Sequence, residues 1–553
     1  MDEKENLKVL FLGGVGEVGK NMTALEYGDD IIIIDSGFGF PDEDMLGVDM
    51  VVQDITYLIQ NKNKVKGIFL THGHEDHIGS IPYILPDINV PMYASRFTLG
   101  LVENKLSEHK EIKYTDHAIK DGTIIPAGSF KVEFVSVTHS IPGSMALIIH
   151  TPVGVVIHSG DFKIDLTPVG ADRMNLARLA EVGKRGVLLL LCESTNIEKE
   201  GFSTSESAIG RTFDELFNKY KEKRIFITAF ASHINRMQQA INTAVKYGRK
   251  VIITGRSMVN AIDTAVKLGE MKFDKNILID IEKIDKYKDG EILVLLTGSQ
   301  GQTASALTRL SNDNFNKIKV GGNDVVIISS SPVPGNEGAI NDVVNNLVYR
   351  GAEVIMSEVA DVHTSGHAYR EELKLMHALT KPKFFMPVHG EYKHLKAHKE
   401  LALEMGMEER NIISPDIGMK VELNQNVMKI AGQVPAGIRI VDGTGMGDSE
   451  SVVLRDRIAL SEEGICVVFM NLSSRSGEIM SGPEIISRGF IYQDEASEII
   501  TEAKETLLTQ LKNMDLKGMD AADIKTNVKK IASGYFFRKT KRKPMILAII
   551  NYV

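Results

Sequence analysis

At 553 residues the chain is too long for a single hydrophobic core, and three or four folding units are expected at roughly 100–200 residues each. Hydrophobic residues make up 43% and charged residues 25%, ordinary for a soluble globular protein, and apolar runs such as 31–34, 187–192 and 545–550 are too short to span a bilayer. A net charge of −9, from 64 basic and 73 acidic residues, argues against binding nucleic acid through bulk attraction alone.

Residues 1–6 have neither the basic start nor the apolar stretch of an export signal, so a cytoplasmic protein is expected. Cys192 and Cys466 sit in apolar runs and read as buried thiols rather than a disulfide or metal ligands. In chain order, short β-rich runs at 7–12, 22–27, 31–35, 67–71, 132–138 and 153–159 predict a β-rich layer with few helices. From about Ser205 the rhythm becomes helix then strand, with strands predicted at 224–230, 250–254, 291–297, 324–329 and 352–356. Helical patterns at 234–247 and 338–350 lie between them, which describes a doubly wound α/β insert. A helix at 369–380 and a strand at 383–388 return the chain to the first unit. The Gly-rich stretch 442–447 then precedes a small α/β domain from about Glu450. The predicted boundaries are 1–205 and 361–440 for the two parts of the first domain, 206–360 for the insert, 441–450 for a linker and 451–553 for the last domain. After Asp523 the charged residues are all basic: Lys525, Lys529, Lys530, Arg538, Lys539, Lys541, Arg542 and Lys543, interleaved with Tyr535, Phe536 and Phe537. They form either an RNA-facing surface or a solvated face.

Gly14-Val15-Gly16-Glu17-Val18-Gly19 matches the dinucleotide fingerprint, with Asp35 ending the next strand. That fingerprint needs a helix behind its glycines, and residues 20–27 leave no room for one, so a glycine turn beneath an active site is the better reading. The stretch Thr71-His72-Gly73-His74-Glu75-Asp76-His77 carries more chemistry. His72 and His74 leave a strand in an extended loop that can point both imidazoles one way, and Asp76 and His77 begin the next helix. A lone histidine is usually structural. Here His139, Asp161 and His389 each follow a predicted strand as well, and ligands gathered at strand ends are what an open metal site needs.

The H-x-H-x-D-H loop with the later His, Asp and His resembles the metallo-β-lactamase superfamily, and the insert between Asp161 and His389 resembles its β-CASP nuclease branch. Residues 12–21, Thr364-Ser365-Gly366-His367, residues 387–392 and Arg488-Gly489-Phe490 are similar to the bacterial ribonuclease J family over nearly the whole chain. The resemblance implies an α/β fold: a metallo-β-lactamase αββα sandwich, an inserted doubly wound β-CASP domain and a small C-terminal α/β domain for dimerisation or RNA contact. It implies that His72, His74, His139 and Asp161 hold one metal and that Asp76, His77, Asp161 and His389 hold the other, with Asp161 shared. Two zinc ions suit the imidazole-rich set, and manganese or magnesium is admitted by the carboxylates. It further implies that His367, oriented by Glu193, is the general acid; the family often has Asp where this chain has Glu193. By the same resemblance His363, Thr364, Ser365, Gly366 and His367 contact the RNA backbone, and Ser232, His233 and Ser331 hold a 5′-monophosphate, favouring 5′-to-3′ release of mononucleotides alongside internal cuts. A structural calcium near Gly47, Asp49 and Asp442 is also implied, as are a homodimer or tetramer, a paralogous partner or RNA degradation complex, and roles in mRNA decay and rRNA maturation.

The insert's strand ends, Ala231-Ser232-His233, Gly255-Arg256-Ser257, Gly298-Ser299-Gln300 and Ser329-Ser330-Ser331, with helices after most of them, read as an anion cradle. Two other classes stay open. A small-molecule metallo-hydrolase would use the same ligands but leaves the insert unexplained. A non-catalytic RNA-binding subunit would fit the terminal domain but not the filled ligand positions.

Overall fold

The structure is a computed structural model that describes residues 6–42, 44–170, 172–298, 305–315, 318–332, 336–443, 445–448, 452–491 and 493–553. The chain divides into two compact units. One runs up to Gly39 and resumes over Val52–Ile438, and the other joins Phe40–Val51 to Arg439–Val553.

In the first unit an eight-stranded and a six-stranded sheet each contribute one face to a shared core. Strand Leu7–Gly13 shows how the sequence does this. Leu7, Val9 and Phe11 enter the core between the sheets, while Leu10 and Leu12 face the helix layer that holds Ile81, Ile84 and Val102. Strand Val187–Glu193 of the other sheet divides likewise: Leu189 and Leu191 point inward, and Leu190 and Cys192 point to a second helix layer with Leu179, Leu373 and Leu401. Four layers, helix-sheet-sheet-helix, follow from this division. Strands covered on both faces have no polar side to show, so 31–34 and 187–192 read as unbroken apolar runs.

The insert is a five-stranded, wholly parallel sheet in the order Lys250–Thr254, Ile292–Leu296, Arg224–Thr228, Asp324–Ile328, Glu353–Ile355. Separate apolar clusters cover its two faces, as a doubly wound sheet requires. The expected insert strands and both expected helices form within a few residues of their sequence bounds. Strands Met145–Thr151, Asp116–Ile119 and Ile124–Ala127 were not expected.

The second unit packs strands Ile479–Arg488, Ile465–Leu472 and Met545–Tyr552 against helices Gln493–Lys512 and Ala521–Thr540. Within the stretch expected as a linker, Gly445–Asp448 pairs antiparallel with Ile438–Asp442; residues 444, 449 and 450 lie outside the described residues. Phe40–Val51 belongs with this unit rather than with the N-terminal strands: Asp49 N–H donates to Val441 O (2.9 Å). No helix among the described residues is long and apolar enough to cross a membrane.

Candidate functional site

Parallel strands deliver side chains from their C-terminal ends to one edge. In the six-stranded sheet, Gly154–His158, Val187–Glu193 and Pro382–Val388 run parallel and adjacent, so Asp161, Glu193 and His389 leave on the same side. Strand Phe130–Ser136 has the same sense and brings His139 there. In the other sheet Asp30–Ile34 and Val65–Phe69 are parallel, and their ends supply Asp35 and the loop to His72. His74 is the N-cap of the single helical turn Glu75–Ile78, which carries Asp76 and His77.

These residues converge. His72 Nε2 lies 2.9 Å from His74 Nδ1, which lies 3.1 Å from His139 Nε2. Asp161 Oδ2 is 3.6 Å from His72, 3.9 Å from His139, 3.2 Å from His77 and 3.0 Å from His389, in each case from Nε2. Asp76 Oδ2 stands 3.5 Å from His77 Nε2 and 3.7 Å from His389 Nε2. Two groups result, His72-His74-His139-Asp161 and Asp76-His77-Asp161-His389, each with its ligand atoms within 4.8 Å of one another.

The far sides of the imidazoles fix which nitrogen faces the cluster. His77 Nδ1 donates to Asp35 Oδ2 (2.8 Å), and His139 Nδ1 donates to Gly366 O (2.7 Å). His72 Nδ1 lies 3.0 Å from Thr71 Oγ1, which itself donates to Asp35 Oδ2 (2.8 Å), so the imidazole is the donor. The Nε2 atoms are therefore the ones directed inward, the arrangement that outer hydrogen bonds impose on metal ligands. Asn21 steadies the acidic side, donating to Asp76 O (3.0 Å). The turn at Gly13 and Gly14 lies beneath, as the reading of residues 14–19 expected: Gly14 O accepts from His389 N (2.8 Å), and a Cβ at Gly14 would meet Asn21 Oδ1 at 2.2 Å. His389 and Asp35 both take left-handed backbone conformations, φ 54° and 60°, strain that the surrounding bonds hold in place.

The electrostatics fit a cation. Burial first, then His77, pushes His72 well below the ordinary imidazole value; burial and His74 do the same to His139. His74 falls to about 4, mainly through burial. Burial opposes the charged form of His77, yet Asp161, Asp76 and Asp35 raise it well above the usual range, so a proton supplies positive charge there. Burial opposes the charge on Asp161, yet His389 and His77 hold it well below the carboxylate range, with their Nε2 atoms 3.0 and 3.2 Å from its buried Oδ2. A carboxylate oxygen at the meeting point of two imidazole-rich ligand groups fits a metal ion between them, which would take the place of the His77 proton.

Beside this cluster His367 Nδ1 donates to Glu193 Oε2 (2.8 Å) and lies 3.9 Å from Asp161 Oδ2. Glu193 is buried and accepts from Phe162 N on Oε1 (2.8 Å). Burial disfavours the imidazolium, but Glu193 and then Asp161 raise His367 to about 9, so it holds a proton at neutral pH. The loop 363–367 is fastened around it. Ser365 Oγ accepts from Asn196 Nδ2 (2.6 Å) and His367 N (3.2 Å), Thr364 Oγ1 is turned inward to Thr204 O (2.7 Å), and a Cβ on Gly366 would sit 2.7 Å from the His139 ring.

Ser232 and His233 precede helix Ile234–Lys246, and the loop 329–331 follows the neighbouring strand. His233 is buried, with its ring 6.4 Å from that of His74 and stacked at 6.3 Å on His363. Ser329 is structural: its hydroxyl donates to Val362 O (2.5 Å) and its N–H to Thr228 O (2.8 Å). Ser331 is half-buried, and Ser299 and Gln300 lie outside the described residues. In the second unit, Asp49 Oδ2 accepts from Gly443 N (2.7 Å). The Arg457 guanidinium pairs with Asp442 and donates to Leu46 O (3.1 Å), beside Gly47.

Asn21 and Thr71 stood within the sequence motifs without a role, Arg236 went unremarked, and Asp35 was met only as part of the glycine fingerprint. Asp35 was findable, since an acid ending the strand next to a histidine loop is placed to orient it.

Comparison with known proteins covers the same span. The profile of the metallo-beta-lactamase superfamily matches residues 15–173 and that of the ribonuclease J beta-CASP domain matches 222–347. The Zn-dependent metallo-hydrolase RNA specificity domain matches 351–415, and the ribonuclease J C-terminal domain 452–553. Ribonuclease J 1 of Streptococcus pyogenes serotype M3 is 40% identical over 545 residues, 98% of this chain and 97% of that protein. Ribonuclease J2 of Bacillus subtilis is 39% identical over 552 residues, 99% of both. Ribonuclease J of Thermus thermophilus is 39% identical over 561 residues, 99% of this chain and 95% of its own length.

Proposed function

The chain belongs to the ribonuclease J family and is a metal-dependent ribonuclease, and from that premise we propose that it hydrolyses RNA from the 5′ end, preferring a 5′-monophosphate and releasing mononucleotides. The observation that carries this reading is the meeting of two ligand groups on the buried Asp161 Oδ2, with the His367–Glu193 pair beside it.

His72, His74, His139 and Asp161 would hold one divalent cation, and Asp76, His77, Asp161 and His389 a second, with zinc favoured by the imidazoles. Bound there, the pair would supply Lewis-acid charge that lowers the pKa of a water toward neutrality and offsets charge developing on the phosphoryl oxygens. The chain's own residues do the rest. Asp35, through His77 Nδ1 and Thr71, holds these imidazoles with Nε2 turned toward the cluster, and His77 would give up its Nε2 proton to a bound cation. His367, raised to about 9 by Glu193 against the effect of burial, carries the proton that the leaving 3′-oxygen needs, giving a 5′-phosphate and a 3′-hydroxyl.

Substrate contact along 363–367 would come from the backbone and from His363, Ser365 and His367, since the Thr364 hydroxyl is committed to Thr204. The 5′-phosphate would rest on Ser232, His233 and Ser331, where the N-terminus of helix Ile234–Lys246 favours an anion. Endonucleolytic cuts follow where a strand threads past that pocket. Roles in mRNA decay and rRNA maturation, and a place in the cytoplasm, extend the same reading. The insert favours RNA over a small ester, and the filled ligand positions favour catalysis over a partner-only role.

Apolar side chains exposed on the C-terminal sheet, Ile486 and Leu547 among them, support assembly into homodimers or tetramers, with itself or a paralogous subunit. A calcium near Gly47, Asp49 and Asp442 would have to displace Arg457 from Asp442; thermal unfolding with and without calcium tests it. The enzyme reading is tested by incubation with 5′-monophosphorylated RNA, with and without chelator. Chelator-sensitive mononucleotide release supports it, and intact RNA with fully metallated protein refutes it.

A further inference from the structure

Arg236, on the first turn of helix Ile234–Lys246, is only 1% exposed. Its guanidinium gathers segments far apart in the chain. Nε and Nη2 donate to Glu206 Oε1 and Oε2 (2.9 and 2.8 Å), Nη1 donates to Ser329 O (2.8 Å), and Nη2 donates to Thr364 O (3.2 Å). Nη1 also lies 2.8 Å from His363 Nδ1. Guanidinium has only donors, so His363 Nδ1 must offer its lone pair, and the single N–H of the neutral ring is on Nε2. Burial, then Arg236 and Lys199, also hold His363 well below the ordinary imidazole range.

The bonds continue past Arg236. Thr364 is two residues before Gly366, whose carbonyl orients the ligand candidate His139. On the other side, Ser232 and His233 precede the helix that carries Arg236, and Ser331 is two residues beyond Ser329. One buried side chain thus joins the insert's strand ends to the loop that bears His367.

We propose that Arg236 is a positioning residue: it locks His363 as a neutral imidazole with its proton on Nε2 and fastens the loop 363–367 to the residues that receive the 5′ end. The inference rests on the proposed function for what the loop touches, but not for the state of His363. A planar five-donor fork is required, because a lysine ammonium has three donors and no plane to match Glu206 on two oxygens.

Histidine-selective 15N labelling of the full-length, zinc-loaded protein tests the first part, with the His363 signal identified by its loss in His363→Asn. The expected wild-type signal is neutral with the proton on Nε2, and in Arg236→Met it shifts toward the Nδ1–H form or a mixture. Kinetics test the second part. Arg236→Lys, and Arg236→Met if it folds, should keep both metals, while KM for 5′-monophosphorylated RNA rises on the order of tenfold and kcat falls less. A smaller shift in the same direction is expected for Glu206→Gln. A wild-type His363 protonated on Nδ1, or an Arg236→Lys enzyme with wild-type KM, overturns the proposal. If the wild-type enzyme itself shows no preference for a 5′-monophosphate, the 5′-end reading fails, while the labelling result still decides the role of Arg236 at His363.

Discussion

The ligand cluster and the residues proposed for the 5′ end lie in one unit but are held in place by different means. His72, His74, Asp76 and His77 come from six consecutive residues, and His139, Asp161 and His389 each leave a strand at the same edge, so short loops alone bring them together. Ser232, His233 and Ser331 lie instead on segments that Arg236 ties together, through partners 30, 93, 127 and 128 residues away in sequence. The first region is specified by local chain and strand direction. The second is specified by one buried polar network, where losing a member leaves its partners unsatisfied.

Predictions that break this comparison start with the metal side. His74→Ala or exhaustive chelation should lower kcat by roughly three orders of magnitude or more, read as RNA turnover per chain. His367→Ala should cost about 10²–10⁴ in kcat while metal analysis still finds two ions per chain; loss of metal would make His367 a ligand instead. Asp35→Asn should weaken metal binding by about 10–100-fold in a competitive chelator titration, because His77 and Thr71 lose their acceptor. The sign of the pH effect follows from His77. Its pKa is raised without metal, and the ring must lose that proton to bind one, so apparent metal affinity should fall as pH is lowered.

The smallest expected effects lie on the insert side. Ser232→Ala or Ser331→Ala should reduce the preference for 5′-monophosphorylated over 5′-hydroxyl RNA by about tenfold, the worth of a hydrogen bond to a charged group, with cleavage of the hydroxyl substrate unchanged. An equal loss on both substrates would place these serines in the common machinery and erase the difference between the regions.

What the sequence revealed divides along the same line. Runs such as 31–34 read as strands because helices cover one face and a second sheet the other. Asp116–Ile119 and Ile124–Ala127 were missed because edge strands are short and partly exposed, and so lack an apolar pattern. The residues gathered at Asp161 were legible because several histidines and aspartates each follow a predicted strand, and those strands end at one edge. Arg236 was not: in sequence it is a basic residue in an amphipathic helix, and only the fold shows it 1% exposed with Glu206 on two of its nitrogens. Phe40–Val51 was assigned to the N-terminal domain by continuity, whereas pairing places it with the C-terminal unit.

The most direct test of the central claim is a product analysis. Full-length, metal-loaded protein is incubated with the same RNA carrying a 5′-monophosphate or a 5′-triphosphate, and early products are resolved by length. Mononucleotides with 5′-phosphates, released faster from the monophosphate and abolished by chelator, are predicted. Equal rates from both ends with only internal fragments would contradict a 5′-end pocket on the insert, and cleavage that persists without metal would contradict the site at Asp161.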